Sequence, residues 1–208
     1  MEDFDKAFWD TEIKISKPNV RIFPLPLGSK LPDFTFEKFW KSQNTILTKE
    51  ESFHKFCKSG VKVIGFLSPE WNNFNQNYID RLILCNEEIS ALGGQFSLFV
   101  NSESEFIETF LRNSPIKFNV CKDKEFSVAR CFGVFDSNHQ AWETITGVSE
   151  DGPYPSIFIV NSDNEVIYSH VDIKYDNPFS FLEIAATVYN EKQKRYWKDE
   201  NLIFHNRG

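Results

Sequence analysis

The chain has only four cysteines in 208 residues, Cys57, Cys85, Cys121 and Cys131. None belongs to a closely spaced pair of the kind that holds zinc or cycles as a dithiol. So sparse a set fits a reducing compartment. No apolar run approaches the roughly 20 residues that a membrane span needs. The start, Met1 to Trp9, is acidic and aromatic and lacks the basic and apolar regions of a secretory signal. A cytoplasmic protein is expected. Positive charge is also scarce: 23 Lys and Arg against 30 Asp and Glu give a formal charge of −7. Nucleic acid and anionic membranes both call for basic patches, so neither is expected as a partner. The sequence carries no glycine-rich phosphate loop, no serine-centred elbow and no metal-ligand cluster, so no cofactor and no metal are expected. It has no internal repeat and no low-complexity tract.

What is present suits one domain with a sizeable core. Hydrophobic residues make up 41% and charged residues 25%, ordinary values for a globular chain. Phenylalanine is abundant, with 22 copies, and most are expected to fill the core. Residues 1–18 read as an irregular arm. Val20-Arg21-Ile22-Phe23 and Phe34-Thr35-Phe36 read as short strands parted by Pro24, Pro26 and Gly28. Thr48-Lys49-Glu50-Glu51 has the capping-box pattern and predicts a helix ending at Gly60. Val61 to Leu67 is a buried central strand followed by a loop from Ser68 to Phe74. A helix from about Asn75 to Leu92 then places Tyr78, Leu82, Cys85, Ile89 and Leu92 on one face.

Gln95 to Val100 is the next strand. A capping box at Ser102-Glu103-Ser104-Glu105 opens a helix that ends before Pro115. A short strand at Phe118 to Cys121 and a short helix at Lys124 to Phe132, closed by Gly133, come next. Phe135 to Gly152 is a polar insertion around His139 and Trp142. Ser156 to Val160 and Glu165 to Val171 form a hairpin through Ser162-Asp163-Asn164. Asn177-Pro178 opens a last helix to about Tyr189. The tail from Glu191 to Gly208 is charged yet carries Tyr196, Trp197, Ile203 and Phe204, which predicts docking on the body.

The order βαβαβα, then ββα, calls for an α/β fold with a central mixed sheet and helices on both faces. It is the order of the thioredoxin-like fold with a peroxiredoxin-like N-terminal β extension. The motifs agree with that order. Leu31-Pro32-Asp33-Phe34-Thr35-Phe36 is similar to the Pro-Asp-Phe opening strand of the alkyl-hydroperoxide-reductase and thiol-specific-antioxidant group (AhpC/TSA, redoxins). Val63-Ile64-Gly65-Phe66-Leu67 looks like its central strand. Trp71 to Leu82 resembles a Trp-Cys-Pro-Tyr-Cys-Asn stretch leading into the active-site helix of one subgroup. Val128-Ala129-Arg130-Cys131-Phe132-Gly133 resembles a Val-Ala-Arg-x-Phe-Gly helix end. Tyr154-Pro155-Ser156-Ile157-Phe158-Ile159-Val160 looks like the loop and strand that carry the cis-proline, and Tyr168 to Tyr175 with Asn177-Pro178 also fits. The resemblance covers roughly 28–190, the expected core, with an extension at 1–27 and a tail at 191–208. It implies thiol peroxidase ancestry and self-association, with a homodimer expected.

The departure falls on the nucleophile. Asn72 and Asn75 stand at the two cysteine positions, and the typical spacing of seven residues after Pro69 lands on Gln76. An amide forms no thiolate and no disulfide. Three readings stay open. In the first, the chain is a redox-inactive, peroxiredoxin-like pseudoenzyme. It binds a small molecule or protein partner through the former active-site cleft, lined by Trp71, Asn72, Asn73, Phe74, Asn75, Gln76, Tyr154 and Pro155. A helix start there offers free N–H groups and a positive dipole end to an anion, and amides and aromatics suit a small-ligand site. An extended peptide beside the Pro155 loop is also compatible.

In the second reading a displaced cysteine still acts. Cys85 sits about 15 Å along the helix from Asn75 and on its core face. Cys121 and Cys131 read as core, and Cys57 as partly exposed; His54 and Cys57 at i, i+3 are two ligands, short of a metal site. In the third reading the cleft is a non-redox enzyme, with Glu70 as general base, Tyr154 as proton donor and Asn72 or Asn75 assisting. His139 could fold over it. His170 reads as a surface residue. An enzyme is the less expected outcome, because the catalytic cysteines are absent.

Overall fold

The computed structural model describes residues 22–68, 72–138, 152–174 and 178–205. Seven strands form one mixed sheet: β1 Thr35–Ser42, β2 Thr45–Ser52, β3 Lys62–Leu67, β4 Gln95–Val100, β5 Asn119–Lys122, β6 Ser156–Val160 and β7 Val166–Val171. Their spatial order is β2-β1-β5-β4-β3-β6-β7. The middle strands β3, β4 and β5 run parallel. β1 is antiparallel to β2 and β5, β6 to β3, and β7 to β6. The helices are α1 Phe53–Lys58, α2 Asn72–Ala91, α3 Ser104–Asn113, α4 Ser127–Cys131 and α5 Phe181–His205.

The strands alternate between two cores, as the two-residue pleat requires. Val63 and Leu67 of β3, Phe96, Leu98 and Val100 of β4, and Ile157 and Ile159 of β6 face α2, α3 and α5. Ile64, Phe66, Phe99, Phe158 and Val160 face the other way, towards α1 and α4. β3 is buried along its whole length, because helices cover both faces and strands cover both edges. Gly65 lets α2's side of the sheet close up: a Cβ there would come within 3.1 Å of the Phe96 ring and 3.2 Å of Leu98.

The phenylalanines concentrate in the second core. Phe132 meets Phe158 at 4.9 Å and Phe66 at 5.3 Å, and Phe53 at 6.3 Å, all tilted edge-on. Edge-to-face pairs add about 0.5–1.5 kcal/mol each beyond their buried area. At Gly133 the close approach is to main chain. A Cβ would collide with the Phe23 carbonyl, and φ is +69°, so only glycine lets the segment at Phe23 cross here.

Several expectations need correction. Thr48 to Glu51 is strand, not the start of a helix. Thr48 spends its hydroxyl on Glu37 across the hairpin, and Glu51 pairs with Lys38 at 2.5 Å. The helix starts four residues later, capped by Ser52 accepting from the Lys55 N–H. Ile22 and Phe23 are irregular, and Val20 and Arg21 lie outside the described residues. α3 begins at Ser104 with no side-chain cap, so Ser102 does not close a box. α2 begins at Asn72, three residues before the expected start. Asn177 lies outside the described residues, and α5 begins at Phe181, where Ser180 accepts from the Glu183 N–H. The helix then continues through 191–205. Tyr196 and Trp197 are exposed on it rather than docked. Most of the insertion, 139–151, with His139 and Trp142, lies outside the described residues.

Candidate functional site

The candidate site grows from the carboxyl end of β3. The buried strand delivers Leu67 and Ser68 to one rim of the sheet, both buried, and the chain re-enters described structure as α2 at Asn72. Glu70 and Trp71 lie outside the described residues. Asn72, Asn73, Phe74, Asn75 and Gln76 are described as helical backbone, while their side chains lie outside the described set. Asn72 and Asn75 therefore both fall in the first turn of a 20-residue helix. The first four N–H groups of a helix have no partner inside it, and they add to the positive end of its dipole.

The neighbouring strands complete this rim. β6 is antiparallel to β3, with Ser156 opposite Phe66, and β7 places Val171 opposite Ser156. The amino end of β6 and the carboxyl end of β7 thus meet beside Ser68. Tyr154 is buried, packed with Ile22 and against Val171 and Ile173. Its N–H donates to the Val134 carbonyl, and its carbonyl accepts from Ser156 Oγ at 3.0 Å. The Pro155 carbonyl accepts from the Asp172 N–H at 2.8 Å. The peptide bond leading into Pro155 is trans, which corrects the expected cis-proline. That carbonyl is committed to the extension of the β6–β7 ladder.

Two of the rim's polar groups come from residues outside the expected cleft, Tyr78 and Asp172. Tyr78, expected on the core face of α2, is buried there, yet its hydroxyl donates to the Ser156 carbonyl at 3.2 Å. Burial pushes the phenol pKa well above its usual value, so the hydroxyl stays a donor. Its ring meets Phe179 edge-on at 5.9 Å, and Arg81 lies over Phe179 while donating to the Phe179 carbonyl at 3.0 Å. Asp172, buried at the end of β7, was not singled out. The available signal was a polar residue at the rim end of each strand: Ser68 after β3, Ser156 opening β6 and Asp172 after β7.

Further along the same rim, β5 leads directly into Asp123, also buried. Its carboxylate accepts from the N–H groups of Val128 at 2.8 Å and Ala129 at 3.0 Å and from Ser127 Oγ at 3.4 Å. Burial outweighs these bonds and raises its pKa to about 6. A 640 Å³ groove opens beside it, lined by Lys122, Lys124, Arg130, Glu103, Phe126 and Phe135.

None of the four thiols falls in the first turn of α2. Cys85 is buried one-third of the way from the far end of that helix, and burial raises its pKa to about 12. Cys121 in β5 is fully buried and raised further by burial. Cys57 is buried beneath α1, which corrects the expected partial exposure, and burial lifts it to about 12 against the opposing pull of Lys62. Cys131 is half-buried and raised by burial. His54 does not face a shared ligand with Cys57: its Nε2 lies 3.0 Å from the Leu31 carbonyl. Among the described residues no group of three or more His, Cys, Asp or Glu side chains is arranged to hold a metal ion. His170 sits half-buried on β7, opposite Ile157.

With this geometry in place, the comparisons are informative about fold. No family model and no curated protein sequence matches the chain. Solved structures do. A Plasmodium vivax 2-Cys peroxiredoxin in its reduced form superposes with a TM-score of 0.65 at 12% identity, over 84% of this chain and 86% of that one. AhpC of Enterococcus faecalis gives 0.62 at 11%, over 84% and 95%. AhpC of Mycobacterium tuberculosis gives 0.59 at 13%, over 80% and 92%. The chain therefore has the peroxiredoxin form of the thioredoxin-like α/β fold. Among the described residues no helix is long and apolar enough to cross a membrane.

Proposed function

We propose that this chain is a redox-inactive protein of peroxiredoxin fold that binds a small anionic molecule, or a carboxylate of a protein partner, at the start of α2. One observation carries the reading. The first turn of α2, at the carboxyl end of the central strand, holds Asn72 and Asn75, while all four thiols lie elsewhere and burial raises the pKa of each. The thiolate is the nucleophile in thiol chemistry. A thiol held near pKa 12 is almost wholly protonated at neutral pH, which weighs against a displaced catalytic cysteine. Free helix N–H groups and neutral amides instead suit an anion. The non-redox enzyme reading has less support, since Tyr154 is buried among Ile22, Val171 and Ile173. The protein acts as a single domain in the cytoplasm on this reading.

The experiment restores what the site lacks. Positions i and i+3 in a helical turn lie about 5–6 Å apart, within disulfide reach. The double variant Asn72→Cys, Asn75→Cys should close a disulfide under mild oxidation, with the two new thiols titrating below 8.5 at the helix start. Thiols that stay reduced and titrate at ordinary values would contradict the placement of the site. Binding is read by amide chemical-shift changes on adding a panel of small carboxylates and phosphates. Shifts confined to 72–78 are expected, and they should vanish in Asn72→Asp, which places a negative charge where the anion would sit.

A further inference from the structure

The parallel strands β4 and β5 are neighbours, yet the chain leaves them in opposite directions. After β4 it enters α3, whose Ile107 and Leu111 pack into the core shared with α2. After β5 it enters α4, whose Val128 and Ala129 pack into the phenylalanine-rich core on the other face. In open α/β sheets, ligands bind in the crevice outside the carboxyl ends of parallel strands whose connections part in this way. The 640 Å³ groove lies at this point, with Asn101 and Glu103 on the β4 side and Lys122, Lys124 and Glu125 on the β5 side. Its volume is that of a small-molecule site.

The turn after β5 shapes the groove. Glu125 and Phe126 both take up the left-handed conformation, at φ +55° and +56°, which residues with a Cβ rarely hold. Phe126 stacks on Phe135 at 4.0 Å. Arg130 lies over the Phe135 ring at 5.0 Å, and its Nη1 donates to the Glu125 carbonyl at 2.7 Å. The groove therefore joins an aromatic wall to a charged rim.

That rim carries both signs. Lys122 pairs with Glu103 at 2.9 Å. The buried Asp123 carboxylate is taken up by Ser127, Val128 and Ala129, and Asp136 accepts from Asn138. Lys124 and Glu125 are exposed, and among the described residues neither has an ion-pair partner. Arg130 keeps further N–H donors in its guanidinium fork. A simple anion here would meet Glu103 and Glu125, and a simple amine would meet Lys124 and Arg130. A molecule with one charge of each sign meets a partner for both.

We propose that this groove binds a free α-amino acid with an aromatic or large aliphatic side chain. Its carboxylate lies between Lys124 and Arg130, its ammonium on Glu125, and its side chain against Phe126 and Phe135. The groove shares no residue with the start of α2, so the inference stands apart from the ligand reading above.

Amide chemical-shift titration of the full chain with L-phenylalanine and L-leucine tests it. Saturable shifts are expected at 101–104, 122–130 and 135, with a dissociation constant of about 1 mM or tighter. 3-Phenylpropionate, which lacks the amine, and phenethylamine, which lacks the carboxylate, should each bind about tenfold more weakly or worse. Lys124→Gln and Glu125→Gln, both at exposed positions, should each weaken L-phenylalanine by a similar factor. Glu125→Gln should at the same time strengthen 3-phenylpropionate, because a repelling carboxylate is gone. Lys117→Gln, at the opposite end of β5, should change nothing. The absence of shifts up to about 10 mM, weaker than ligands of this size bind a fitting site, would overturn the inference. So would 3-phenylpropionate binding as tightly as L-phenylalanine, affinity indifferent to both Gln variants, or shifts confined to 72–78, which would place the ligand at the start of α2.

Discussion

The buried carboxyl of Asp123 should make stability fall as pH rises from 4 to 6. It is nearly inaccessible at the end of β5. Burial moves its pKa from the ordinary 3.8 up to about 6, despite the N–H groups of Val128 and Ala129 that it accepts from. Well below pH 3.8 the group is protonated in both folded and unfolded chains. Between 4 and 6 the folded state holds a proton that the unfolded state has released, so stability drops by up to 1.36 kcal/mol per pH unit. Across the interval the loss is about 3 kcal/mol. Above 6 both states are ionised and the loss is complete.

Other carboxylates titrate in the same range, so the informative quantity is a difference. In Asp123→Asn the pH-dependent loss is absent, although one N–H of α4 gives up its acceptor, at a constant cost of about 1–2 kcal/mol. Urea denaturation at pH 4, 5, 6 and 7 measures both proteins. With a urea m-value of about 2–3 kcal/mol/M, the gap between the two midpoints should change by about 1 M from pH 4 to pH 7, in favour of the variant. A gap that stays flat within about 0.2 M would refute the assignment of burial as the dominant cause.

Lys62 should behave in the opposite sense. It is enclosed at the start of β3, bonded to Ser59 Oγ at 2.6 Å and to Gln95, with its ammonium 4.6 Å from the Phe56 ring centre. Burial lowers its pKa from 10.5 to about 8. The unfolded chain holds the extra proton between these values, so stability should rise from pH 8 to 10.5; Lys62→Met should abolish that rise in denaturation curves. Phe132 sits at the centre of the aromatic cluster with Phe53, Phe66 and Phe158. Phe132→Ala should cost about 3–5 kcal/mol in chemical denaturation, and a loss below about 1.5 kcal/mol would mean that the cluster repacks.

Much of the fold was legible because its central strands are apolar runs with clear stops. Gln95–Val100 and Ser156–Val160 match the expected bounds, and β3 and β7 each begin one residue later than expected. The miss at Thr48 to Glu51 has a physical reason. A capping box is a local preference worth about 1 kcal/mol, and here it lost to eight residues of cross-strand pairing with β1, including Lys38 with Glu51. No local pattern could show that pairing, because it depends on the left-handed turn at Gln43, where φ is +55°. The C-terminal tail was misread because its aromatics suggested docking, whereas Tyr196 and Trp197 stand exposed on α5. Cys57 was misread because one short helix says little about what covers it.

The candidate site was legible at its backbone and not at its rim. The expected break after β3 places Asn72 and Asn75 at a helix start. Ser156 and Asp172 join that rim only through the β3–β6 and β6–β7 registers, long-range pairings that spacing along the chain does not reveal. Tyr78 fitted a helical apolar stripe, and only the register shows that its hydroxyl reaches the Ser156 carbonyl.

On the proposed reading, a peroxiredoxin frame here carries no competent thiol. Its most direct test is titration of the folded protein with hydrogen peroxide in the presence of a sulfenic-acid trap, read by peptide mass spectrometry. The account predicts that Cys57, Cys85, Cys121 and Cys131 label no faster than the same thiols in a urea-unfolded control. Rapid labelling of any one of them at substoichiometric peroxide would contradict it and would name the nucleophile.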